Sequence, residues 1–135
     1  MFYGRKSDWS TQEMCIDVIQ NGAVATGTVY AQPQAVDVLW DAYLIKPMVE
    51  AKSVEVLLYM AKCMEKITKE QFSYDKKATW NRVKLCEVSL PVTSDGNINF
   101  DYMKRYIRAI EKLAIADVAK YKDKLIATTR RVVGA

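Results

Sequence analysis

Histidine is absent from the chain. That removes the commonest metal ligand and the side chain most used for acid–base catalysis near neutral pH. The three cysteines, Cys15, Cys63 and Cys86, are odd in number and far apart. No Cys/His cluster has zinc spacing, and the cysteines read as free, mostly buried thiols. No run of 18 apolar residues occurs, so nothing in the sequence spans a membrane. The opening MFYGRKSDWSTQ has no apolar h-region of a signal peptide, which points to the cytoplasm. A glycine-rich phosphate loop after a strand is missing, as is a GxSxG elbow. A methyltransferase would need a cofactor-binding glycine motif and an Asn/Asp-Pro-Pro-aromatic tetrapeptide, and neither is present. No catalytic residue, cofactor or metal ligand is therefore expected.

What is present is an ordinary composition with an uneven charge. Half of the 135 residues are apolar and 27% are charged, enough for one domain with a core. The net charge is +4, but residues 1–60 hold four basic and seven acidic side chains, and residues 61–135 hold sixteen and nine. A basic second half suits an anionic partner such as nucleic acid, and equally a set of well-solvated helices.

The longest signal lies at the end. Met103, Ile107, Ile110, Ala114, Val118, Tyr121, Leu125, Thr128 and Val132 recur at steps of three or four, which predicts one apolar face of a helix over 99–133. Asn99 can cap it, Asp101 suits its positive end, and Arg130 and Arg131 suit the other. Gly134 follows as a stop. Such a helix is about 50 Å long at roughly 1.5 Å per residue. One small domain cannot cover that length, so the far half is expected to meet a partner.

Upstream, residues 1–98 predict an α+β domain: a small mixed β-sheet with one packed helix. Met1 to Gln12 reads as irregular. Met14 to Ile19 predicts a strand closed by Asn21-Gly22, and Ala23 to Tyr30 a second strand. Gly27 inside it suggests a bulge or a close backbone approach. Val36 to Ile45 predicts a strand or strand pair ended by Pro47. Ser53 to Phe72 changes period, with Val54, Leu57, Leu58, Ala61, Met64 and Ile67 on one helical face, Ser53 as cap, and Met60 and Cys63 in the core. Ser73 to Asn81 reads as a loop, and the alternation in Arg82 to Leu90 as a strand.

Two loops interleave aromatic and basic residues: Phe2 to Trp9, with Arg5 and Lys6, and Tyr74 to Arg82, with Lys76, Lys77, Asn81 and Arg82. Lysine and arginine neutralise phosphates, and asparagine positions or reads at a groove. These six are the candidate DNA-binding residues. Trp80 reads first as a core anchor. A rival pattern is Asp41 followed by Glu50-Ala51-Lys52, the acid, gap, acid-x-lysine layout of magnesium-dependent nucleases. It follows Pro47 and precedes a helix rather than lying on a core strand, so a solvated loop is its plainer explanation.

Lys77-Ala78-Thr79-Trp80, Val83-Lys84, Glu87 to Val92 (EVSLPV), Asp95-Gly96-x-Ile98-x-Phe100-x-Tyr102-Met103 and Tyr106 to Leu113 together resemble the end of a target recognition domain and the start of its spacer helix. Such domains belong to DNA specificity subunits of type I restriction–modification systems and related type II enzymes. Asn21 to Gly27 and Asp41 to Pro47 resemble the β half of the same domain. The resemblance covers nearly the whole chain, and its motifs are packing motifs. It implies a protein that neither cuts nor methylates. It implies recognition of a half-site of double-stranded DNA, and a long helix that sets spacing and docks the modification methyltransferase and restriction subunits. A full specificity subunit has two recognition domains and two spacer helices. This chain has one of each, without the opening strands, so it resembles a half-subunit or a fragment. A half-subunit is expected to form a homodimer through Met103, Ile107, Ile110, Ala114, Val118, Tyr121 and Leu125. A third expectation, of a different class, is a protein-assembly module that does not bind DNA.

Overall fold

Asp-Gly and Asn-Gly turns, one capped amphipathic stretch and one long apolar stripe set the architecture. A computed structural model describes residues 10–38, 40–48 and 53–134. Strand β2 (Cys15–Ile19) lies between β3 (Val29–Gln32) and β5 (Ala42–Ile45) in a three-stranded antiparallel sheet. Ile16 stands opposite both Ala31 and Ile45. A separate ribbon pairs β1 (Ser10–Gln12) with β4 (Val36–Val38), again antiparallel. All described pairings are antiparallel, in place of a mixed sheet, and the class is α+β as expected.

Helix α1 (Val54–Gln71) covers the sheet. Ser53 caps it, its Oγ accepting the Val56 N–H at 3.3 Å. Val56, Leu57, Met60 and Ala61 are buried against Ile16, Val18 and Val29. Val54 is turned out, and Cys63 is half-buried. The predicted face is thus rotated slightly, because Val56 and Thr68 are inside while Val54 is not.

Helix α3 (Phe100–Val132) runs 33 residues. Asn99 caps it by accepting the Tyr102 N–H at 2.9 Å, and Gly134 follows in the left-handed region at φ +70°. Its first two turns belong to the body: Met103 is fully buried in the core and Ile107 nearly so. Tyr59 of α1 meets Tyr102 and Tyr106 edge-on, and Glu55 pairs with Arg108 at 3.3 Å. The two helices are therefore antiparallel, and α3 leaves the body past the N-terminus of α1. Every described residue from Arg108 to Gly134 is exposed.

Three expectations change. Ser10–Gln12 is a strand rather than part of an irregular entry. Most of 23–30 is a turn, with Gly22 at φ +117° and Gly27 at φ +78°, and only its end, from Val29, is strand. Gly27 is a close approach: a Cβ there would lie 3.0 Å from the Thr68 carbonyl oxygen. Arg82 to Leu90 is not a strand. Trp80–Val83 forms a short helix α2, and the chain after it is extended without a ladder, save one bridge between Val92 and Ile98. The alternation there is genuine in burial, since Cys86, Val88 and Leu90 are half-buried and Leu85, Glu87 and Ser89 exposed. An extended segment leaning one edge on a body alternates just as a strand does.

Candidate nucleic-acid interface and helical stalk

The loop after α1 carries Lys76 and Lys77, and the short helix α2 that follows it carries Asn81 and Arg82, so four of the six candidate DNA-binding residues fall in one segment. The loop is closed by reciprocal backbone bonds between Ser73 and Lys76, at 2.9 and 3.1 Å. Phe72 is buried beneath it, and the Lys76 ammonium stands 5.5 Å from that ring. Ala78, fully buried, anchors the loop from both sides of its peptide. Its N–H donates to Thr26 Oγ1 at 3.2 Å, and its carbonyl accepts the Tyr43 hydroxyl at 2.9 Å. Burial, with the Cys86 thiol nearby, pushes Tyr43 up to about 12, so that hydroxyl stays a donor at any ordinary pH. Arg82 Nη1 donates to the Lys77 carbonyl at 3.1 Å, which ties α2 back to the loop. Lys76, Lys77, Asn81 and Arg82 are each exposed on this one hydrogen-bonded segment. Arg5 and Lys6 lie outside the described residues.

Trp80 is half exposed and meets Tyr43 edge-on at 6.1 Å, so it is a lid on the core rather than an anchor within it. Beneath it, Ile45, Met64, Val83, Cys86 and Val88 line an apolar pocket of about 200 Å³. No local pattern marks Thr26 and Tyr43 as the posts that hold this loop, because both act over more than 30 positions of chain separation. Gly27, flagged as a close approach, sits beside one of them.

This surface follows the C-terminus of α1, whereas α3 departs past its N-terminus. The basic loop and the stalk therefore stand at opposite ends of the body. The chain matches no known protein family, curated protein or solved structure.

The stalk is apolar along one side, and among the described residues nothing covers it. Ile110, Val118, Tyr121 and Leu125 are 45%, 67%, 65% and 49% exposed, and Ala114 lies among them, also exposed. Met103 and Ile107, expected at a partner interface, are used inside the body instead. The free stripe therefore begins at Ile110. Among the described residues no helix is long and apolar enough to cross a membrane.

The carboxylate pattern fares differently. Asp41 is exposed at the turn before β5, and its Oδ1 accepts the Asn21 side-chain amide at 2.9 Å. Glu50 and Lys52 lie outside the described residues. Among the described residues no group of three His, Cys, Asp or Glu side chains is placed to hold a metal.

Proposed function

We propose that the chain is a non-catalytic DNA specificity module of a restriction–modification system, working in the cytoplasm. On this reading the body meets a half-site of double-stranded DNA, and the stalk sets spacing and docks the methyltransferase and restriction subunits. The observation that carries it is the separation of the two surfaces. A rigidly held basic loop stands at one end of a small body, and a long helix with a free apolar stripe leaves from the other. An enzyme would not need that division, and a plain helical scaffold would not need the loop. The resemblance of Lys77 to Leu113 to the join between a recognition domain and its spacer adds to it. Lys76, Lys77 and Arg82 then meet phosphates, and Asn81 stands where a base edge or phosphate can be reached.

Binding to a random-sequence duplex at low salt, followed through a salt titration, tests this. The wild type is expected to bind, with affinity falling steeply as salt rises. Replacing Lys76, Lys77 and Arg82 by alanine is expected to lower the log–log salt slope by about three, one contact each. Repeated selection from a random duplex pool is expected to enrich one short sequence. Absence of any DNA affinity at low salt would leave the stalk as an assembly device only and overturn the reading.

A further inference from the structure

The pocket beneath Trp80 is used by neither the basic segment nor the stalk. Its wall comes from four parts of the chain: Ile45 of β5, Met64 and Ile67 of α1, Val83 of α2, and Cys86 in the extended segment after it. None of its lining side chains is charged. Thr68 brings the one hydroxyl among them, and that group already donates to the Gly27 carbonyl at 2.6 Å. The Cys86 thiol donates to Gln71 Oε1 at 3.5 Å. Water in this space therefore finds few partners, whereas an apolar guest forgoes none.

Volume and lining narrow the guest. The pocket holds about 200 Å³. An apolar cavity of about 150 Å³ takes benzene, and drug-sized ligands need about 300 Å³ or more, so the fit is one ring or a fused pair. A charged group would sit there unpaired, at a cost that no lining side chain offsets. Two sulfurs, of Met64 and Cys86, and the indole of Trp80 line the space. Sulfur and indole both make favourable edge or stacking contacts with an aromatic ring that an alkyl chain does not offer. Trp80 is half exposed, so a guest reaches the pocket beside it.

We propose that this pocket is a binding site for a small uncharged aromatic molecule, of one ring or two fused rings, held between Trp80 and the Met64 side of α1. A guest there touches β5, α1 and α2 at once, so its binding stabilises the folded body. The proposal holds whether or not the body binds DNA, and its test needs none. Indole is the probe, with benzoate as its charged counterpart. Millimolar indole is expected to raise the melting temperature of the full chain by about 3 °C, and the same concentration of benzoate to leave it unchanged. Position is read from Cys86. Its alkylation by N-ethylmaleimide, measured by peptide mapping, is expected to slow about fivefold under indole, while Cys63, which does not line the pocket, keeps its rate. V88F, at a half-buried wall position, is expected to fill the space and abolish the indole response. If that variant fails to fold, the wild-type alkylation result decides. No rise with indole would overturn the proposal. A rise with Cys86 alkylation unchanged would place the guest elsewhere and overturn it too. An equal rise with benzoate would overturn the class of ligand.

Discussion

Asp17 stands in the middle of the central strand, between Tyr30 and Leu44, with its Oδ1 buried and unbonded among the described residues. Burial pushes its carboxyl above the ordinary carboxylate range, and a hydrogen bond from the Gln32 side chain opposes this only in part. A carboxyl that holds its proton more tightly when folded costs stability once it ionises. The cost is absent below the unfolded value and complete above the folded one. Comparing wild type with D17N isolates this group from the other carboxylates. As pH rises from about 3 to 7, the melting temperature of D17N is expected to gain on that of wild type, the change beginning near the ordinary aspartate value of about 3.9 and ending once the folded carboxyl has ionised. A difference independent of pH would mean the carboxylate is solvated in the folded chain. Nothing in CIDVI marks Asp17 as costly. Alternation places it on the face away from Ile16 and Val18, and its surroundings come from Tyr30, Gln32 and Leu44, which are distant in sequence.

At the scale of elements, what could be read was whatever carries its own signal. Ser53 with its helix, Asn99 with its helix, Gly22 and Gly96 in their turns, and the central strand Cys15–Ile19 are all local patterns, and each is where the sequence places it. Two failures came from elements defined by a partner. Ser10–Gln12 is a strand only because Val36–Val38 lies beside it, and Cys86 to Leu90 is not one because nothing does. Period also cannot tell a helix buried by its own domain from one awaiting another chain. Met103 and Leu125 belong to one stripe, yet the first is fully buried and the second 49% exposed. Their alanine variants are expected to separate. M103A opens a cavity in the core and is expected to cost the body about 2–5 kcal/mol. L125A is expected to leave the unfolding of a monomeric dilution unchanged within about 0.5 kcal/mol and to weaken self-association instead. Chemical denaturation at two protein concentrations distinguishes them. Equal losses for both would mean that α3 folds back onto its own body.

For the whole molecule, the stalk converts a register into a distance. From Arg108, where α3 leaves the body, to Lys120 is roughly 18 Å at 1.5 Å per residue, so if two stalks of half-subunits pair antiparallel about a two-fold axis there, the two bodies root about 36 Å apart. That is close to one turn of B-DNA, the separation at which two-fold proteins meet equivalent faces of successive half-sites. The basic loops stand at the far ends of the bodies from the stalk, so the half-sites they reach lie further apart than the roots. Spacing is thus set by helix length alone and can be changed without touching either surface. Seven residues inserted after Ala109, on the body side of the free stripe, preserve the helical face within about 20°. They lengthen each arm by about 10 Å and the whole by about 21 Å. If the body reads a half-site and the stalk pairs antiparallel, duplexes selected by the insertion variant are expected to carry the same two half-sites about six base pairs further apart, at 3.4 Å per pair. An unchanged spacing would mean that the stalk does not measure the DNA. Loss of one half-site with retention of the other would mean that the two bodies read DNA independently.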